Sequence, residues 1–129
     1  MKILAWERAR AERVERGGHF DGDVRMQDLN LEAPDDGVEL VAVFFGPGAR
    51  TLPHTHPVEQ TLVVVEGEGI VADSHGRRPM RAGDVVVVPA GVWHWHGATP
   101  ASSLCHLSAK KPSDTRWDGV PLRDWEVYP

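Results

Sequence analysis

Short runs of β-branched and aromatic residues, each closed by glycine or proline, restrict the fold of this chain more than any other feature. VELVAVFF at 38–45 lies between PDDG and GPG, TLVVV at 61–65 stops at EGEG, and GIVAD stops at SHGRRP. DVVVV at 84–88 stops at Pro89, and WHWHGA from Trp93 and SSLCHLSA from Ser102 extend the series. HFDGDVRMQDLNLE, upstream, has the same texture. Runs of this length between turn residues, with no helical period separating them, predict strands. They specify an all-β sandwich or barrel. The 13 glycines and 10 prolines among 129 residues fit many short elements joined by turns.

The ends read differently. KILAWERARAERVER, residues 2–16, lacks Gly and Pro and is rich in good helix formers. Ile3, Trp6, Ala9 or Arg10, and Val14 fit a helical stripe loosely, and Gly17-Gly18 would end it. A short N-terminal helical arm over 1–18 is therefore expected, with RAERVER as a solvated helix face. The tail, 110–129, is expected to be irregular and to pack Trp117 and Trp125 on the barrel wall or on a neighbouring subunit. The whole chain, 1–129, reads as a single domain with its barrel over about 20–109.

A net charge of −5 leaves no basic surplus for phosphates, which argues against a nucleic-acid partner. No run approaches the ~18 apolar residues of a membrane span, and MKILAWERARAER is a poor leader. A cytoplasmic protein is expected. Cys105, the only cysteine, excludes an internal disulfide and suits a reducing compartment.

Histidines carry the chemistry. In strands, alternation puts His54 and His56 on one face and His94 and His96 on one face, with Trp93 and Trp95 opposite. His106 shares a face with Leu104 and Ser108, while Cys105 points away as a small buried hydrophobe. One H-x-H pair is equally well read as a polar loop. Two in one small all-β chain favour a metal site, because a divalent cation satisfies several buried imidazoles at once. Zinc, iron, manganese and copper all accept imidazole. His19 and His75, in polar glycine-rich stretches, are expected to be solvated.

The spacing is specific. Gly48 precedes His54-Thr-His56 by five residues; Gln60 follows after three, and Gly67 after six more. Gly83 precedes Pro89-Ala-Gly91 by five residues, and His94 follows after two. These stretches resemble the paired motifs of the cupin superfamily, G-x5-H-x-H-x3-4-E-x6-G and G-x5-P-x-G-x2-H-x3-N. The resemblance implies a cupin-type double-stranded β-helix, or jelly-roll, barrel. It also implies metal ligands at His54, His56, Gln60 and His94. Two positions depart from the motifs: Gln60 stands at the glutamate and Ala98 at the asparagine. Glu59, adjacent to Gln60, would face away from His56. Three imidazoles and an amide leave the cation its full charge, which favours Lewis-acid chemistry over high oxidation states.

PGARTLPHTHPVEQTLVVVEGEG, RAGDVVVVPAGVWHWHGATP and the later CHL resemble the small bacterial monocupins more closely. Among these are the manganese-dependent cupin hydroxynitrile lyases and the cupin domains found beside carboxymuconolactone decarboxylase-like proteins. That resemblance implies one divalent ion per chain, manganese first, with iron, zinc or nickel as alternatives. It implies His106 as the base and maps His96 to the second histidine of the shared H-W-H-G run, with either His96 or His106 as the proton carrier. The expected function is a Lewis-acid and general-base enzyme acting on a small substrate bearing a hydroxyl or carbonyl. A metal-dependent dioxygenase, a polyketide cyclase-like enzyme and a non-catalytic small-molecule binder are the alternatives. An apolar inner wall is expected from Val41, Val43, Phe45, Leu62, Val64 and alternate valines of 85–88. Exposed sheet edges lead to the expectation of a homodimer or small homo-oligomer.

Overall fold

The computed structural model describes residues 1–14 and 18–127. Ten strands follow in chain order: β1 (Glu12–Arg13), β2 (Phe20–Asp21), β3 (Val24–Asp28), β4 (Glu39–Phe45), β5 (Arg50–Thr51), β6 (Gln60–Asp73), β7 (Gly76–Arg81), β8 (Val85–Val88), β9 (Trp95–Ala98) and β10 (Leu104–Lys110). They form one antiparallel sheet in the order β1-β3-β4-β10-β6-β9-β5-β2, with β7 and β8 also pairing with β6. The result is an all-β, curled jelly-roll. No helix among the described residues is long and apolar enough to cross a membrane.

β6 joins the two halves. Gln60–Gly67 pairs with β10 and Gln60–Val63 with β8, whereas Glu68–Asp73 pairs with β7 and Gly69–Ala72 with β9. EGEG therefore does not end a strand, as its composition suggests. The chain passes through Gly67 at φ +79°, beside a bulge where Cys105 pairs with Glu66 but His106 with Val64. A bulge bends and twists a strand, which lets one element leave one sheet and enter the other. GIVAD does stop at SHGRRP, where Ser74-His75 forms the turn and Gly76 already begins strand β7. Pro79 is tolerated there because β7, paired only with β6 among the described strands, is an edge.

The N-terminal helical arm is not formed. Residues 1–14 contain no α-helix, only one 3-10 turn at Arg8–Arg10, and β1 pairs with Met26 and Arg25 of β3. Gln27 holds this segment, accepting from the Glu7 amide (2.7 Å) and donating to the Ala5 carbonyl (2.9 Å). A helix this short is marginal unless it buries an apolar stripe. Here the stripe is irregular, and the sheet edge satisfies the backbone instead. The rest of the helix expectation, Glu15, Arg16 and Gly17, lies outside the described residues.

The barrel core comprises Val24, Val43, Phe45, Val64, Met80 and Leu104. A second cluster of Leu29, Ala42, Phe44 and Cys105 covers the outer face of β4 and β10. Trp93 and Trp95 pack with Ala72 under Val120 and Trp125 of the tail. Of the four valines of β8, Val88 is buried, while Val85 (61 %) and Val87 (54 %) face outward.

Candidate metal centre

Backbone pairing brings the two histidine motifs together. His54 and His94 form an antiparallel bridge, with N to O distances of 2.9 and 3.2 Å. The Gly91 amide donates to the His56 carbonyl at 2.7 Å, which fixes the next residues of the same join. His54, His56, His94 and Gln60 are each 5 % exposed or less, whereas Glu59 is exposed. Alternation thus separates Gln60 from its acidic neighbour as expected.

The hydrogen bonds of each ring leave one nitrogen of each histidine uncommitted to a backbone or hydroxyl partner. Nδ1 of His54 donates to the Leu52 carbonyl (2.8 Å), and Nδ1 of His94 to the Val92 carbonyl (2.9 Å). A carbonyl only accepts, so in the neutral rings both Nε2 atoms carry lone pairs. Nδ1 of His56 meets Thr115 Oγ1 at 3.1 Å, and its buried Nε2 has no hydrogen-bond partner among the described residues. The ligand atoms of the three histidines lie within 4.8 Å of one another, a group able to hold a metal ion.

Gln60 lies beside the three histidines. Its Nε2 donates to Ser108 Oγ at 2.9 Å, which turns Oε1 to within 3.2 Å of His94 Nε2. With the His94 proton on Nδ1, these two acceptors face each other with no hydrogen between them. Donors about 2.1 Å from one cation and at right angles lie about 3 Å apart. The separation and chemistry of this pair therefore fit a shared cation. In this orientation, with Nε2 on Ser108 and Oε1 toward His94, the amide presents the oxygen that suits a metal.

Beside this cluster lies a second pair. His106 Nε2 is 3.1 Å from His96 Nδ1, and the outward nitrogens, His106 Nδ1 and His96 Nε2, are buried without partners among the described residues. Phe45 packs against both rings, at 5.3 and 6.0 Å between centroids. Burial is the main reason that every one of these imidazoles protonates less readily than usual. It takes His56 and His106 down to about 4 and His54 and His96 well below the ordinary range; His94 is lowered too. All five are neutral near pH 7, the form that ligates metal and accepts protons.

A cavity of about 270 Å³ opens onto both groups. Val41, Val43 and Phe45 line it as expected, joined by Phe20 and Met26. Leu62 and Val64 are buried but do not reach it. The tail closes one side: Trp117 packs on the barrel as expected, while Ser113 and Thr115 beside it were not announced by the sequence, with Glu39 and Lys110 paired at 2.7 Å nearby. Trp117 lies 4.4 Å from His54 and stacks at 4.4 Å on His19. His19 is therefore half-buried rather than solvated, while His75 is exposed. Ser108 was visible as a residue on the His106 face. Nothing in the tail's composition marks Thr115.

Residues 41–107 match the cupin domain. The (R)-mandelonitrile lyase of Granulicella tundricola is 42 % identical over 108 residues, covering 82 % of this chain and 78 % of that one. A gentisate 1,2-dioxygenase from a Ralstonia species is 34 % identical over 79 residues, covering 54 % of this chain but only 22 % of the dioxygenase. Among solved structures, a cupin-like protein of Thermotoga maritima superposes with a TM-score of 0.80 at 32 % identity, covering 92 % of this chain and 90 % of that one. The curled sheet, the joined histidine motifs and these relatives agree: the chain belongs to the cupin family, as a small monocupin resembling the hydroxynitrile lyases.

Proposed function

We propose that this protein is a metal-dependent lyase acting on a small hydroxyl- or carbonyl-bearing substrate, with cyanohydrin cleavage or formation as its reaction. The observation that carries the reading is the juxtaposition of two groups in one apolar cavity. Ligand atoms of three histidines lie within 4.8 Å of one another with the Gln60 oxygen 3.2 Å from His94 Nε2, and the His96–His106 pair lines the same cavity. His54, His56, Gln60 and His94 would hold the ion, with manganese the first candidate among several that suit this donor set. Bound there, a divalent cation supplies Lewis acidity toward a substrate oxygen, undiminished by any ligand carboxylate.

The chain's own residues supply the rest. Val41, Val43, Phe45, Phe20 and Met26 seat the hydrocarbon part and exclude water. In cyanohydrin cleavage the imidazole pair takes the hydroxyl proton at His106 Nδ1 or His96 Nε2. The bond between the carbinol carbon and the nitrile breaks, the carbonyl forms, and the same proton is returned to the departing cyanide. The mandelonitrile lyase relative supports this reaction class.

Metal content by elemental mass spectrometry, on protein purified without added metal, tests the site alongside Gln60→Ala and His94→Ala. Near-stoichiometric metal in the wild type, lost in the variants, is expected, followed by release of benzaldehyde from mandelonitrile. A wild type that cannot be loaded with metal overturns the reading. Metal without cyanohydrin turnover, but with oxygen uptake on a dihydroxybenzoate, would instead favour the dioxygenase reading suggested by the shorter match.

A further inference from the structure

The three contacts that orient the clustered histidines are not equivalent. His54 and His94 each donate to a carbonyl two residues earlier in their own segment, so strand geometry alone sets them. His56 depends on Thr115, 59 positions away, in the segment that leaves β10 and crosses the cavity. That segment is fastened on both sides of Thr115. The Thr55 amide donates to the Arg116 carbonyl at 3.1 Å, and the Arg116 amide to the Thr55 carbonyl at 2.9 Å. Lys110 Nζ, paired with Glu39, donates to the Ser113 carbonyl (3.2 Å) and hydroxyl (3.1 Å). Trp117 then covers His54.

We infer that Thr115 is a positioning residue for His56, and that its hydroxyl couples metal occupancy to docking of the strap formed by residues 111–117. The inference rests on the metal reading above and adds a residue that lies outside the matched cupin segment. For Nε2 of His56 to offer a lone pair, its proton must sit on Nδ1, and the Thr115 oxygen is the group that accepts it. With the strap displaced, the ring loses both its tautomer and its orientation, while His54 and His94 keep theirs. Conversely, a cation on Nε2 holds the proton on Nδ1 and so strengthens the link to Thr115. Coupling between two such events is reciprocal: a strap that favours the metal is itself favoured by it. Because Ser113, Thr115 and Trp117 line the cavity, the substrate chamber becomes complete as the metal binds.

Manganese(II) titration followed by electron paramagnetic resonance, on wild type, Thr115→Val and Thr115→Ser, measures the first half of the coupling. Valine keeps the shape without the acceptor, and an outer-shell loss of this kind costs about 10- to 100-fold in metal affinity. Serine is expected to restore most of it, which a merely space-filling role would not do. Trypsin cleavage after Arg116, an exposed residue of the strap, measures the second half. Saturating manganese should slow that cleavage several-fold in wild type and Thr115→Ser, and leave it unchanged in Thr115→Val. Equal manganese affinity in wild type and valine variant overturns the inference while leaving the metal site intact. So does wild-type cleavage that is indifferent to manganese. A wild type that binds no manganese removes both this inference and the metal reading. Should Thr115→Val not fold, judged by circular dichroism, the wild-type cleavage rates and the serine variant decide.

Discussion

His106 Nε2 lies 3.1 Å from His96 Nδ1, and the two buried, neutral rings share one proton across that contact. When His106 donates, its Nδ1 is left as a basic lone pair and His96 carries its proton on Nε2. When His96 donates, the roles exchange. Either arrangement leaves one base and one donor at the two unpartnered nitrogens, so the two residues act as a unit. His106→Gln and His96→Gln should therefore each lower turnover by about 10²- to 10⁴-fold while leaving the metal in place. The double variant should be little worse than either single one. Turnover and metal content on the same preparations check this. Multiplicative losses in the double variant would show that the rings work independently.

Gln60 offers a sharper test of what the cation is used for. A carboxylate in its place would accept from Ser108 and add a negative charge to an otherwise neutral donor set. Gln60→Glu is expected to bind manganese more tightly, by about tenfold, because charge is added at contact distance. The same charge weakens polarisation of the substrate oxygen, so cyanohydrin turnover should fall by about tenfold or more. Competition titration with a chelator and steady-state assays measure the two effects. A variant that gained both affinity and turnover would contradict a Lewis-acid role.

The pairs His54/His56 and His94/His96 were legible because strand alternation is local, whereas Gln60 and the choice of His94 came from the motif resemblance; one backbone bridge, His54 with His94, then brings the two local motifs together. The strand character of VELVAVFF and SSLCHLSA was legible for the same reason. EGEG misled because glycine composition cannot distinguish a turn from a bulge that a strand passes through; pairing with Ser102–Leu104 decides that. The N-terminal segment misled because helix propensity is weak beside the vacant edge of β3, a partner 12 or more residues away. Packing of Trp117 and Trp125 on the barrel wall was legible from the tail's aromatic content, but Thr115 was hidden because its role depends on where the tail lies, and the tail has no period.

Buried neutral histidines make the metal-free protein acid-sensitive. His106 is fully buried and titrates at about 4, against about 6.5 in an unfolded chain. Its folded value is depressed, so below pH 6.5 the unfolded state takes up a proton that the folded state refuses, and stability falls. The loss accumulates between pH 6.5 and 4 and levels off below that. For this residue alone it reaches about 3 kcal/mol. His54, His56, His94 and His96 shift in the same direction. Urea unfolding of chelator-treated protein at pH 7 and pH 4.5 should show a marked drop in midpoint, and His106→Phe should reduce it. A midpoint that does not move over that range would mean these rings are not buried neutral.

Two motif glycines make a final, separable prediction about the scaffold. Gly67 closes the first motif and Gly83 opens the second, and both have positive φ, +79° and +97°. Alanine at Gly83 would meet nothing within 4 Å, so only the left-handed backbone penalty of about 1–2 kcal/mol applies. Alanine at Gly67 would put its Cβ 1.8 Å from the Ser103 carbonyl oxygen. That atom is backbone in the segment entering β10, so it cannot swing aside as a side chain would. Relief requires parting β6 from β10 at the bulge that sets the position of His106. Gly67→Ala is thus expected to destabilise by about 4 kcal/mol or more, or to prevent folding, while Gly83→Ala yields a folded protein with a modestly lower midpoint. Thermal unfolding of the two variants ranks them directly. Similar midpoints would show that β10 can yield at Ser103, and the bulge would then not be the fixed hinge between the two sheet halves.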